Sequence, residues 1–431
     1  ETLASVSGRG CEFIITDHHT PSDTLPDVAA IVHPALGDAP VNPNLCGAGV
    51  AFKLAWQTAR AMCGNTRVDD EMRTFLLEAT TLAALGTIAD VVPLTGENRL
   101  LASFGLRGLA NCQRPGVAAL VKLARLEGKA ITARDVAFSI APRINAAGRM
   151  GHADEAVDLL ATTDPAKAAA MASAIDKQNL RRREVEKEIT AEAIAMVEER
   201  GLNQDENRSI VLASEHWHGG VIGIVASRLV DRYHRPTVLI GTNSSGIGQG
   251  SGRSVRGFNL VDALRACDEN LLSCGGHAMA AGVRVEIANV DAFAEAFEAY
   301  ARETAIEEQL APPLDLDAEA TFAEIDFPTT RTIERLAPFG CGNAHPVVAV
   351  RNCRIAAPPK RIGRNASHLT LLLEHGTTTL RAIGFGMGEI AETLLDHTHI
   401  DIAAEPMLNT FNGRTNVELR LRDIQLLPCE N

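Results

Sequence analysis

The chain has 431 residues, 46% hydrophobic and 22% charged, the profile of a soluble globular protein of two to four domains. No apolar run reaches the roughly 18–20 residues of a membrane span, which argues against an integral helical membrane protein. Nine cysteines occur, none in a C-x-x-C pair, so a zinc ribbon or thioredoxin-like motif is not expected and a reducing, cytoplasmic setting is.

Cys11 to Thr16 reads as a short buried strand with the apolar run Phe13, Ile14 and Ile15. It ends in Asp17-His18-His19, and Thr20-Pro21 turns the chain. Ligands in open α/β sheets sit at the carboxyl ends of strands. A carboxylate and two imidazoles there suit a divalent metal; a polar loop with a capping Asp is the plainer alternative. The chain starts at Glu1, shows no signal-peptide pattern, and reaches this strand almost at once. We therefore expect a fragment whose N-terminal part is missing.

Gly47–Met62 and Glu71–Leu85 have helical periodicity, the latter apolar and buried in its second half. It should run into a loop, Gly86 to Pro93, holding Asp90 among Ile88, Ala89, Val91 and Val92. A carboxylate hemmed in that way needs a partner or a metal; a capping or salt-bridged Asp is the alternative. Oxygen-plus-imidazole ligation suits manganese or magnesium better than zinc. Two such ions about 3.5–4 Å apart would activate a water and hold both oxygens of a phosphoryl displacement. Two histidines and two aspartates are too few for that, so more carboxylates must come from elsewhere.

Pro142 to Gly151 packs Arg143, Asn145 and Arg149 beside Gly148 and Gly151, which suits phosphate binding or a structural turn. Asp164-Pro165 then starts a helix with no Gly or Pro before Gly201, roughly 50 Å long at 1.5 Å per residue. Its charged middle, Lys177–Glu188, reads as exposed, as in a helix bridging two domains.

From Ser209 strands (209–214, 237–240, 283–285) alternate with helices (221–233, from 260, after 289). Three polar groups sit beside glycines: Trp217-His218-Gly219-Gly220 before a helix, Gly250-Ser251-Gly252-Arg253-Ser254, and Gly275-Gly276-His277. Helix N-termini and Gly/Ser loops bind anions, so a shared phosphate groove is expected over three unrelated tight turns. Trp217 would stack a base or fill core.

The net charge of −13 argues superficially against nucleic acid. Yet Glu286 to Asp326 holds twelve acids, Glu307 and Glu308 among them, against Arg302 alone; that stretch carries −11, leaving −2 elsewhere. After Pro312-Pro313, segments 368–373, 379–385, 400–404 and 417–421 alternate like strands, the pattern of a small β-barrel. Arg351, Arg354, Lys360, Arg361 and Arg364 form an acid-free run, either a solvated face or a phosphate contact.

Together FIITDHHTP (13–21), GTIADVVPLTGENR (86–99), APRINAAGRMGHA (141–153), WHGGVIGIVASR (217–228), GSGRS (250–254) and GGHAMAAG (275–282) resemble the RecJ family of single-stranded-DNA exonucleases, within the DHH phosphoesterase superfamily. LAPFGCGN (336–343) and the Asn409–Gly413 stretch are similar to that family's C-terminal OB-type barrel. The match runs nearly end to end, and the ordered set is far more specific than any one motif. It implies an α/β protein: a parallel-sheet DHH domain over 1–163, incomplete at its N-terminus; a connector helix over 164–201; a smaller α/β DHH-associated domain over 202–311; and an OB-type barrel over 312–431.

The resemblance implies a 5′→3′ exonuclease of DNA repair and recombination that removes 5′ mononucleotides from single strands with two Mn2+ or Mg2+ ions. By motif, His18 and Asp90 would be metal ligands, with Asp17 and His19 completing or orienting the site. Arg143, Asn145 and Arg149 would lie against phosphates. Ser251 and Arg253 would hold the terminal phosphate, with His218, Gly275, Gly276 and His277 along the strand, and Phe411 would stack a base on the barrel. A single-strand-binding protein and a helicase are implied partners. The family's first two acidic motifs, an Asp-x-Asp and a later Asp, precede the DHH block and are absent here, so the fragment is expected to be inactive without them. A DHH phosphodiesterase for short oligoribonucleotides or cyclic dinucleotides, and a non-catalytic replication scaffold, are the alternatives. The first lacks a barrel; the second has no need of Asp17, His18, His19 and Asp90.

Overall fold

A computed structural model describes residues 11–21, 24–64, 67–243, 246–305 and 314–427. The start of the sequence, Glu307, Glu308 and the Pro312-Pro313 boundary lie outside them. The chain divides into two compact units. One takes the described residues of 1–112, 128–138 and 314–431; the other takes those of 113–127 and 139–313.

In the first unit β1 (Ile14–Thr16) pairs in parallel with β2 (Ala30–Val32). Against expectation β1 is not buried: Ile14 is 66% exposed. Among the described residues it has one strand neighbour. Helices α1 (Gly47–Met62), α2 (Asp70–Ala89) and α3 (Gly96–Leu109) follow. The Asp69 carboxylate accepts the Met72 N–H at 2.8 Å and starts α2, with Asp70 and Glu71 on the positive end of its dipole. Gly86 to Ala89 is helix rather than loop. A Cβ on Gly86 would lie 2.4 Å from the Ala48 Cβ, so this glycine serves close packing of α1 on α2 and breaks nothing. The Thr87 hydroxyl donates to the Ala83 carbonyl at 2.7 Å inside the same turn.

The second unit opens with α4 (Pro115–Leu123), α5 (Ala141–Met150), α6 (Asp154–Ala161) and α7 (Pro165–Glu199). The 142–151 block is therefore mostly helix, not a structural turn. Asp164 caps α7 by accepting the Ala166 and Lys167 N–H groups at 2.8 and 3.3 Å. This 35-residue helix is no bare connector. It buries Ala168, Ala172, Ile175, Ile189, Ala193 and Val197, packing α4, α5 and α6 on its first half and α8 on its second. Its charged middle is also partly internal: the buried Glu186 accepts from Arg228 Nε at 2.6 Å and pairs with Arg182 at 3.2 Å.

Next come β3 (Ile210–Ser214), α8 (Gly219–Tyr233), β4 (Thr237–Thr242), β5 (Ile247–Arg253), α9 (Leu260–Ala266), β6 (Ser273–His277), β7 (Ala280–Glu286) and α10 (Val290–Thr304). The sheet order is β3-β4-β5-β7-β6, with β3 and β4 parallel and the rest antiparallel. Alternation sorts the faces. Leu239 packs with α7 and α8, whereas Val238 and Ile240 pack with α9 and α10. The Gly/Ser run is strand β5, not a loop. Cβ atoms on Gly248, Gly250 and Gly252 would lie 2.6, 2.5 and 2.9 Å from Ile240, Val283 and Leu260, so these glycines fit the core, and Ser251 and Arg253 take the opposite face.

The first unit resumes with β8 (Ala318–Glu319), α11 (Phe327–Glu334) and β9 (Val348–Ile362), then β10 (His368–His375), β11 (Thr378–Gly384), β12 (His399–Phe411) and β13 (Arg414–Leu426). The order β10-β11-β13-β12-β9-β8, with β9 also paired to β10, makes an OB-like barrel around Val350, Leu369, Leu371, Ile400 and Leu419. The basic run lies on and just beyond β9 and is largely neutralised: Arg351 by Asp401 at 2.8 Å, Arg361 by Glu392 at 3.1 Å, and Arg354 by Glu374. No helix among the described residues is long and apolar enough to cross a membrane.

Candidate metal centre and phosphate pocket

Asp17-His18-His19 follows β1 at its carboxyl end. One Asp17 oxygen accepts three hydrogens, from the His18 and His19 N–H groups at 2.7 and 3.2 Å and from His19 Nδ1 at 2.7 Å. The His19 ring bond, then the two backbone bonds, hold the Asp17 carboxyl down at about 2. Asp17 thus orients the turn and leaves His19 Nε2 with an open lone pair. A third imidazole was missed in the sequence: His33, just past β2. Its Nδ1 accepts the Ala35 N–H at 3.1 Å, so Nε2 carries the hydrogen and donates to the His19 carbonyl at 2.7 Å. The signal was available, because Ala30-Ile31-Val32-His33-Pro34 repeats the pattern of an apolar strand, a histidine and a proline.

His18 packs against the start of α1, its Cδ2 3.3 Å from where a Gly47 Cβ would be. Asp90 is the C-cap of α2, donating its N–H to Gly86 at 2.9 Å. The helix end brings its carboxylate to His18, Oδ2 to Nδ1 3.6 Å. Asp90 is not entombed as expected: its side chain is 43% exposed, since Val91 turns outward. The separation exceeds a hydrogen bond. Instead the two donors could share one ion. Among the described residues no group of three or more His, Cys, Asp or Glu could hold a metal ion, so this N/O pair is a partial donor set.

In the second unit Arg149, His218, Ser251 and Arg253 come together. His218 caps α8, its Nδ1 accepting the Gly220 N–H at 3.1 Å. A Cβ on Gly223, one turn into α8, would lie 2.8 Å from both Ser251 Oγ and Arg253 Nη2. Arg253 donates to Ser251 Oγ at 2.9 Å and to the Gly252 carbonyl at 2.7 Å; Arg149 donates to the Gly220 carbonyl at 3.0 Å. These partners are neutral. Burial, then the Arg149 charge, lowers the Arg253 pKa. Two guanidiniums beside a helix N-terminus on neutral acceptors favour an anion.

His277 ends β6, opposite Ala280, which is itself opposite Arg253. A trough of about 410 Å³ on this sheet is lined by Gln249, Ser273, Gly275, Gly282 and Arg284 among others. Gly275 and Gly282 are paired across β6 and β7, and a Cβ on either meets nothing closer than 3.9 Å. Gly276 differs: φ is +148° and a Cβ would lie 2.5 Å from Ala281 Cα, so the fold requires glycine there. Asn145 is exposed on α5.

Two expected contacts are committed elsewhere. Arg143 donates Nε to Asp176 at 2.7 Å and another N–H to Ser139, so it ties α5 to α7 rather than waiting for a phosphate. Trp217 is 4% exposed and its indole donates to Glu192 at 2.9 Å, so it fills core and offers no face to a base. Phe411, 73% exposed at the tip of β12, does present one. The adjoining turn, Asn412 and Gly413, has φ of 50° and 75°, as a two-residue hairpin demands.

Three family models match the chain: the DHH family N-terminal domain over residues 1–87, the DHHA1 domain over 206–303 and the RecJ OB domain over 316–423. The single-stranded-DNA-specific exonuclease RecJ of Bacillus subtilis is 39% identical over 96% of the chain and 51% of its own length. The chain thus spans about half of that relative. The protein of the same name from Dickeya dadantii is 33% identical over 96% of the chain and 73% of its own length. The crystal structure of RecJ in complex with Mn2+ from Thermus thermophilus is 33% identical with a TM-score of 0.83, covering 99% of this chain and 60% of that one. Identity and coverage at these levels, over all three modules in order, make this chain a member of the RecJ family.

Proposed function

We propose that the chain belongs to a metal-dependent exonuclease that degrades single-stranded DNA from its 5′ end, releasing 5′ mononucleotides, in repair and recombination. The observation that carries this is the His18–Asp90 pair at 3.6 Å, a nitrogen and an oxygen donor at the ends of a strand and a helix. That donor set suits Mn2+ or Mg2+, and the Thermus thermophilus relative is described as a Mn2+ complex. When bound, a pair of such ions would polarise the phosphodiester and supply the attacking hydroxide. His18 and Asp90 would hold an ion, His19 would add a nitrogen, and Asp17 would keep the His19 ring in one tautomer. Further carboxylates would complete the donor set.

Arg149, Arg253, Ser251 and the α8 N-terminus would bind a terminal phosphate, with His277 and the glycine-floored trough taking the adjoining strand. The barrel, with Phe411 exposed, suits a longer strand and favours DNA over a dinucleotide. We assign the enzyme to the cytoplasm. A helicase would supply its substrate, and a single-strand-binding protein would share it.

The test is hydrolysis of 5′-labelled single strands by the full gene product with Mn2+. Labelled mononucleotide should appear first and an Asp90→Asn variant should release none. Faster cleavage of a dinucleotide than of a long strand would overturn this reading.

A further inference from the structure

Three residues past Asp90 the chain is gripped by the segment that leads into the barrel. The Leu94 N–H donates to the Cys341 carbonyl at 2.7 Å. Leu94 is buried, and a Cβ on Gly340 would lie 2.7 Å from its Cδ1. Gly342, φ +68°, leaves only 3.0 Å between its Cβ position and Pro93. Arg99 completes the grip: one terminal nitrogen, Nη2, reaches the carbonyls of Arg335, Leu336 and Ala337 at 3.4, 2.8 and 3.4 Å. Asn343 shapes the same segment by donating to Leu336 and Pro338 at 3.0 and 2.9 Å. From the other side the buried Asn98 donates to the Pro93 carbonyl at 3.1 Å and to Asn44 at 2.7 Å, near the start of α1 where His18 packs.

Between Asp90 and this grip stand Val91, at φ 58°, and Val92. A β-branched residue rarely takes that conformation, and it persists only where its surroundings hold it. The route from Asp90 to the barrel's leading segment is thus short, and it includes one strained residue.

We infer that Arg99 is a positioning residue. It holds the 335–343 segment against the Asp90–Leu94 turn, so that the barrel's leading segment, besides any contact with DNA, fixes where the Asp90 carboxylate stands relative to His18. This rests on the metal-centre reading above. Metal affinity and turnover should then depend on Arg99 even with a substrate too short to touch the barrel.

The experiment compares the full gene product with Arg99→Met, Arg99→Lys, Asp90→Asn and, as a control on the same helix, Arg107→Met. Free Mn2+ is measured by EPR during titration, Leu94 amide exchange by mass spectrometry, and kcat and KM on a 5′-phosphorylated trinucleotide. Arg99→Met should weaken Mn2+ about tenfold, as loss of a ligand's support does. It should also speed exchange at Leu94 and lower kcat with KM unchanged, with Arg99→Lys partly restoring each. Arg107→Met should match the wild type. Mn2+ affinity within about twofold of wild type in Arg99→Met would overturn the inference, whatever its melting temperature. Unchanged Mn2+ binding in Asp90→Asn would instead overturn the metal-centre reading beneath it.

Discussion

Arg149 and Gly220 hold each other from both sides. The Arg149 guanidinium donates to the Gly220 carbonyl at 3.0 Å, and a Cβ on Gly220 would lie 2.3 Å from Arg149's own carbonyl oxygen. The α8 N-terminus therefore rests directly on α5, and only glycine permits it. Gly220→Ala must push α8 away from Arg149. We expect affinity for a 5′-phosphorylated single strand to fall about tenfold by fluorescence anisotropy, a loss equivalent to about 1.4 kcal/mol. Affinity equal to wild type would count against the pocket.

Gly275 and Gly282 lie side by side where the fold would accept larger residues. Glycine within a strand costs about 0.5–1 kcal/mol relative to alanine and often marks the close approach of a ligand. Gly282→Ala should raise stability by up to that amount in urea denaturation. Gly282→Val should fold normally and bind single strands several-fold more weakly. Undiminished binding by the valine variant would show the open floor to be incidental.

The barrel hides a charge cluster. Glu405 on β12 is fully buried and accepts from both Arg420 and Arg422 of β13. Glu405→Gln leaves the arginines without their counter-charge, and loss of one partner from such a pair costs about 3–5 kcal/mol. A double variant, Glu405→Met with Arg420→Met, should recover much of that loss in urea midpoints. Failure to recover would mean the cluster contributes more than its removal costs.

Burial pushes the Cys267 thiol up to about 11 and the Cys353 thiol up to about 12. The unfolded chain ionises these thiols first, near pH 9. Above that pH the folded state holds more protons, so stability falls as pH rises until the folded values are passed. The slope is on the order of 1.4 kcal/mol per pH unit for each thiol. Urea midpoints measured from pH 8 to 11 should therefore decline more steeply in wild type than in Cys353→Ala, with the slopes compared rather than the absolute values.

Part of the candidate site was legible because its residues follow strong local signals. His18 stands just past an apolar strand, and Asp90 follows an apolar helix, though the sequence placed it in a loop rather than at the helix end. What escaped depends on partners far along the chain. Gly86 looks like a helix stop until Ala48 is seen against it. The Gly/Ser run at 250–254 looks like a loop until Ile240, Val283 and Leu260 claim the missing side-chain volume. Arg143 and Trp217 carry suitable chemistry, but Asp176 and Glu192 had already engaged them. Strand β9 was hidden by Pro358-Pro359 and a basic run whose acids lie on other elements. His33 was overlooked although its strand-His-Pro pattern repeats that of β1.

His18 is proposed to ligate a divalent ion beside Asp90. The most direct measurement is pulsed EPR of Mn2+ bound to the gene product with 15N-labelled histidine. A histidine nitrogen coupling should be present in wild type and should change or vanish in His18→Ala. An identical spectrum in His18→Ala, or no histidine coupling in wild type, would contradict the account.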